Sequence, residues 1–300
     1  MGAQYAAGQG CADSGNQNRI DYREGVRGRQ VMRAYLMIIA NCIKSTFTYR
    51  AHILFQILTS ALMILVQFFI WRAVFAASPG GIEGAVVRGM SFDQTFLYVS
   101  LAAALGVLMR TWTDWDMNGQ IRSGDIIMFM FKPADYMKYM FSNSIGFMAG
   151  NLISITIPSA IVIFGFFGAP LPGVLNTLFF AFALAGSCTL TFLFDFIIGT
   201  TCFWTMSIWG ISAGKEVIIA FLSGALIPLG FYPEALRSVM VWLPFPYMYN
   251  LPLSILTASK ANPLVWAQGI GVQLVWVIVI LAASRAYYRY SLRKLTVNGG

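Results

Sequence analysis

From Tyr139 to Phe194 the chain runs 56 residues without an Asp, Glu, Lys, Arg or His. A soluble domain, in which about a quarter of residues are charged, does not sustain such a run. It is roughly twice the ~20 apolar residues that one helix needs to cross the hydrocarbon of a bilayer. The sequence GAPLPG at 168–173 supplies a turn in its middle, because proline removes a backbone donor and disfavours helix at the residue before it. The run therefore predicts a hairpin of two membrane helices, about 140–168 and 174–204.

Other stretches follow the same pattern. Ile53 to Trp71 is free of charge, predicting a span at about 53–76, and the shorter run between Asp93 and Arg110 predicts one at 94–112. Val217 to Pro233 and Ala261 to Ser284 predict two more, at 214–232 and 262–285. Ser238 to Ser259 is also uncharged but contains Pro244, Pro246 and Pro252. Three prolines leave backbone groups without partners in lipid, so this stretch reads as re-entrant or surface-lying. The expected fold is thus all-α, with six transmembrane helices.

Charge placement gives an orientation. With six spans and the N-terminus inside, 16 of the 20 Lys and Arg residues fall on the inner side, leaving Arg72, Arg88, Arg237 and Lys260 outside. This is the bias expected of cytoplasmic loops. A seventh span would move the C-terminal cations Arg285, Arg289, Arg293 and Lys294 outside. Both termini are therefore expected in the cytoplasm.

The net charge of +8 gathers at membrane edges instead of one solvated face, which argues against nucleic acid as a partner. Residues 1–30 carry Arg19, Arg23, Arg27 and Arg29 without an apolar core and read as a disordered basic tail, not a signal peptide. Residues 31–50 place Met32, Tyr35, Leu36, Ile39, Ile43 and Phe47 at helical spacing opposite Arg33, Asn41 and Lys44, predicting an interfacial helix. The four cysteines form no CxxC pair, and the single His52 excludes an HExxH metal site.

The longest inner loop, Thr111 to Met140, contains IRSGDIIMFMFKP at 121–133. Ser123 is placed to cap a short helix, Asp125 to meet its dipole, and Pro133 to stop it. Ile126, Ile127, Met128, Phe129, Met130 and Phe131 make that helix apolar nearly all round, so a protein partner or the membrane surface must cover it.

Taken in order, TYR at 48–50, Trp71, IRSGDI and KP within 121–133, FW at 203–204, LSGALIPLGFYPEALRSVMVWLPF at 222–245 and LP at 251–252 resemble the six-span branch of the type-2 ATP-binding-cassette export permeases. The resemblance covers residues 31–295. It implies a permease subunit of the bacterial inner membrane, dimeric with a second copy or a related permease, and docked to a separate ATPase subunit that binds the ATP and magnesium. This chain would then hold no cofactor and no metal. The resemblance further implies that Ile121, Arg122, Ser123, Gly124, Asp125, Ile126, Phe129, Lys132 and Pro133 form a coupling helix for that ATPase. The alternative for the same residues is an interfacial helix resting on lipid headgroups. Gly224, Pro228, Pro233, Pro244 and Pro252 would shape re-entrant helices that close the outer mouth.

Asp195 is the one acid inside an expected span. An ionised carboxylate at the bilayer centre costs about 3 kcal/mol on insertion scales, so it must face a cavity, pair, or be neutral. It is a candidate for the translocation path of cationic or polar substrates, or for a hydrogen bond between helices. GISAGK at 210–215 is one residue short of a phosphate loop and has Glu216 where a hydroxyl would hold magnesium, so Lys215 and Glu216 read as an interfacial pair. Two further functions remain open. One is an ion-coupled transporter or channel using Asp195, although no internal repeat is evident. The other is an intramembrane lipid-modifying enzyme using Asp114 and Asp116, which otherwise begin the coupling region.

Overall fold

Uncharged runs in a bilayer leave the backbone no partner but itself, so each closes into helix. The computed structural model describes residues 32–293 apart from 49, 80, 85, 131–134, 167–170, 206 and 259. The expected basic tail, Lys132, Pro133 and the first half of the GAPLPG turn lie outside the described residues. In chain order the α-helices are α1 (residues 32–48), α2 (Arg50–Ala76), α3 (Gly81–Gly84), α4 (Phe92–Leu108), α5 (Thr113–Ser123), α6 (Ile126–Met130), α7 (Tyr136–Asn151), α8 (Ile157–Ile161), α9 (Val174–Thr200), α10 (Trp209–Leu222), α11 (Glu234–Met240), α12 (Asn250–Leu256) and α13 (Pro263–Leu292).

Among the described residues, five helical segments are long and apolar enough to cross a membrane: Ile53–Ala76, Phe92–Ser123, Tyr136–Gly165, Val174–Phe203 and Pro263–Leu292. A sixth crossing is supplied if Glu234–Met240 and Phe245–Leu256, bent by 77° at their junction, count as one broken or re-entrant span. Prolines make that bend. Pro233 precedes α11, Pro244 and Pro246 shape the single turn Phe245–Tyr247, and Pro252 sits within the first turn of α12, where a missing N–H costs least.

The stretch expected as the fifth span is not one helix. Helix α10 stops at Leu222, and the chain turns through Ser223 and Gly224 before a short 3₁₀ turn at Leu229–Phe231. Its 14 residues are about 21 Å long at 1.5 Å each, less than the hydrocarbon thickness of about 30 Å. The third span also departs from a plain helix. It widens into π-helical turns at Leu152–Thr156 and Val162–Phe166 on either side of α8, in whose first turn Pro158 lacks the N–H that a continuous helix would donate to the carbonyl four residues earlier.

Helix α9 is central, packing against α13, α5 and α12. One apolar core joins α2 and α4 through Trp71, Phe75, Phe96, Leu101 and Leu105. A second lies at the α5 and α6 end, where Met117, Ile126, Tyr136 and Met140 meet Leu190, Phe192 and Phe196 of α9. Helix α5 comes close to α9 at Gly199, where a Cβ would fall 2.7 Å from Met117 Sδ, so the side chain must be absent. Helix α1 crosses α7 through Cys42 and Thr46, while Met32, Leu36, Met37 and Phe47 stay exposed. That exposed apolar face suits a lipid surface.

Candidate functional site

The Phe92–Ser123 segment bends where α4 meets α5. Trp112 adopts φ 56°, a left-handed conformation that costs a non-glycine residue about 1–2 kcal/mol and persists only when its surroundings over-determine it. The surroundings here are polar. On either side of Trp112, Thr111 and Thr113 turn their hydroxyls inward, and Asp114 follows, only 2% exposed.

These groups meet one cation. Lys215 of α10, 8% exposed, places its Nζ 3.0 Å from Asp114 Oδ2 and 2.5 Å from Asp195 Oδ1 of α9. Each carboxylate is further satisfied. Thr111 Oγ1 donates to Asp195 Oδ2 at 2.6 Å, Ser212 Oγ to Asp114 Oδ2 at 2.6 Å, and the Trp115 N–H to Asp114 Oδ1 at 3.0 Å. Thr113 links Thr111 at 3.0 Å to Ser144 of α7 at 2.6 Å. Four elements are thereby joined through one buried network.

The network forms part of the floor of a cleft of about 970 Å³. Its walls include Gln56 and Ser60 of α2, Ala104 and Gly106 of α4, Asn151 and Ser154 of the third span, and Trp209 and Glu216 of α10. Asp195 therefore both lines a cavity and bonds between helices. Lys215, expected to pair with Glu216, is buried and binds Asp114 and Asp195 as well: Asp195, in an otherwise apolar helix, needs a counter-charge, and Lys215 is the only Lys or Arg in the sequence between Lys138 and Arg237. Glu216 has an exposed side chain 3.4 Å from Lys215 Nζ. Asp114 and Asp116 do not act as a pair. Asp114 faces Lys215, and Asp116 accepts from Asn143 Nδ2 at 3.3 Å.

At the far end of α5, Gly124 closes the helix with φ 80°, a conformation natural to glycine, and the chain turns directly into α6. Ser123 ends α5 instead of capping α6 as expected; its hydroxyl donates to Asp125 Oδ2 at 2.6 Å. Helix α6 is not apolar toward solvent all round either. Ile126 is fully buried, and Phe129 packs its ring 5.4 Å from Tyr136 and 4.6 Å from Tyr139. Ile121 and Ile127 are half-buried, Arg122 and Asp125 exposed, and Met128 remains 64% exposed.

In the Gly/Pro block, the Asn250 N–H donates to Ser223 O at 3.2 Å and Tyr98 Oη to Asn250 Oδ1 at 3.1 Å. Gly224, which would crowd Tyr98 if it bore a Cβ, sits in that turn. Gln273 Nε2 of α13 binds the carbonyls of Ala183 at 2.9 Å and Tyr247 at 2.8 Å, fastening the bend at Pro244 and Pro246 to α9.

Long apolar helices around a cleft that holds one buried ionic network, with one span broken by prolines, define a polytopic helical membrane protein. The chain belongs to the ABC-2 family of transporter proteins, whose sequence pattern, described as "ABC-2 family transporter protein", matches residues 61–299. It is thus a membrane component of an ABC-2 transporter, from a family of permease subunits. No curated protein matches the chain.

Proposed function

We propose that this chain is the permease half of a bacterial inner-membrane exporter, powered by a separate ATPase subunit that binds ATP and magnesium. It works as a dimer with a second copy or a related permease, and both its termini face the cytoplasm. The observation that carries this reading is the form of the Phe92–Ser123 segment together with α6. Helix α4 alone, 17 residues or about 26 Å, nearly spans a bilayer's hydrocarbon, so α5, which turns away from it at Trp112, would lie at or beyond the membrane edge and present α6.

Among the described side chains of α6, Ile126 is buried and Ile127 and Phe129 half-buried, which leaves Met128 as the exposed apolar one, with the exposed Arg122 and Asp125 just before the helix. A small apolar knob with a charged surround fits a groove on a protein partner better than a lipid surface, which would call for a continuous apolar face. Residues 121–133 are accordingly the coupling element. The cleft beside Asp195 is the translocation path, suited to cationic or polar solutes, and Gly224, Pro228, Pro233, Pro244 and Pro252 shape its outer closure. Asp195 is a poor ion-coupling site, since Lys215 and Thr111 already satisfy its carboxylate.

The test is to purify the tagged chain from its native membranes and assay what accompanies it. A copurifying ATPase that hydrolyses ATP in those membranes supports the reading. Solute movement by the isolated polypeptide, with no nucleotide-hydrolysing companion, refutes it.

A further inference from the structure

We propose that Asp114 and Lys215 are positioning residues of the transport cycle: with Asp195 they hold α10 against α5 and α9, and α10 leaves the cleft floor when α6 is engaged. This rests on the reading of α6 as the ATPase contact. Of the fourteen residues of α10, only Ser212, Lys215 and Ile219 are buried. They fall at i, i+3 and i+7, one stripe of one helix face. Two of the three, Ser212 and Lys215, are bound to the carboxylates of Asp114 and Asp195. The attachment of the first half of α10 is therefore ionic, while its C-terminal end stays anchored by Ile219, by Leu222 packed on Leu229, Tyr232 and Met240, and by Tyr232 Oη donating to Phe221 O at 2.8 Å.

Helix α6 reaches both carboxylates through rigid elements. Asp114 is the second residue of α5, and α6 follows the other end of that eleven-residue helix across Gly124. At 1.5 Å per residue α5 is a lever of about 16 Å. The second route runs through rings: Phe129 packs on Tyr136, and Tyr136 lies 6.4 Å from Phe196, the residue after Asp195. Displacement of α6 thus moves Asp114 relative to Asp195, and one ammonium cannot follow both.

A release route for the cation is present. Glu216, on the same helix and 3.4 Å from Lys215 Nζ, keeps the ammonium paired when it parts from the other two acids. Asp114 and Asp195 then face the cleft that they already line, where water reaches them. Two discrete pairings give the bistable element that coupling between distant sites requires.

The experiment uses the complex copurified with its ATPase, carrying Ile219→Cys, with N-ethylmaleimide labelling of the peptide bearing residue 219 followed by mass spectrometry. Labelling is compared without nucleotide and with ATP plus vanadate. The expected change is about fivefold or more, the lower range of coupling between linked sites. In the neutral combination Asp114→Asn, Asp195→Asn and Lys215→Met, the ATPase still copurifies, but labelling is equal in both conditions. Lys215→Arg retains the response. A neutral combination that responds as the parent does, or a parent that does not respond, overturns the proposal. A parent chain that copurifies no ATPase refutes the docking reading instead, so the two failures are distinct.

Discussion

Lys215 Nζ lies 2.5 Å from Asp195 Oδ1 and 3.0 Å from Asp114 Oδ2, so a single ammonium joins α10 to both α9 and α5. Asp195 is 20 residues from Lys215 in sequence, and Asp114 is 101. The stability and the motion of this end of the molecule both depend on that arrangement.

Removal of the cation alone is the harshest change. Lys215→Met leaves two buried carboxylates facing each other, and breaking a buried pair in this way costs about 3–5 kcal/mol. Thermal unfolding in detergent is expected to fall well below the parent's. Neutralising all three residues together is expected to recover most of the loss, because a buried ion network is often replaceable by neutral groups. Equal melting of Lys215→Met and the parent would remove the network from the account.

The α5 and α9 contact makes a separate prediction. A Cβ at Gly199 would fall 2.7 Å from Met117 Sδ, so Gly199→Leu overpacks the interface at a cost of about 1–3 kcal/mol. Met117→Ala opens space at the same point and is expected to relieve part of that cost in the double variant. Strictly additive melting shifts would show that the two residues do not share a contact.

On α6 two neighbouring substitutions are expected to act differently. Met128 is exposed and Ile126 buried, so Met128→Asp leaves the melting curve in place but weakens ATPase binding about tenfold or more. Asp125→Lys acts in the same direction. Ile126→Asp, by contrast, places an unpaired charge in the core and lowers stability first. Titration of the purified ATPase against each variant separates these effects, and unchanged affinity for Met128→Asp would remove α6 as the docking element.

Asp195→Asn keeps the shape of the side chain and the hydrogen bond from Thr111 but removes a charge at the cleft floor. Export of cationic solutes is expected to fall relative to neutral ones in inverted membrane vesicles. An unchanged ratio would leave Asp195 with its bonding role alone.

The parts of the fold readable from sequence are those written in local chemistry. Uncharged runs announced α2, α9 and α13, and Pro244, Pro246 and Pro252 announced a break in the stretch that bends by 77°. The early end of α10 carries no such local mark, since no proline lies between Val217 and Ile227. That turn is held by remote groups, Asn250 and Tyr98, which only the folded chain brings there. The site divides in the same way. Asp195 stood out because an acid in an apolar helix demands a partner. Its partner was hidden because Lys215 follows a Gly/Ser-rich stretch that mimics a phosphate loop, and nothing local shows which way its side chain points. Residues 126–131 read as uniformly apolar because the covering groups are remote: Ile126 is buried in the core shared with α9, and Phe129 packs on Tyr136 and Tyr139.

The central claim, that another protein drives this permease through α6, is met most directly by a photo-crosslinking amino acid at position 128 in native membranes. The account predicts an ultraviolet-dependent adduct to a nucleotide-hydrolysing subunit, reduced when Asp125→Lys is added. Adducts to lipid alone, in membranes where the transporter is active, would contradict it.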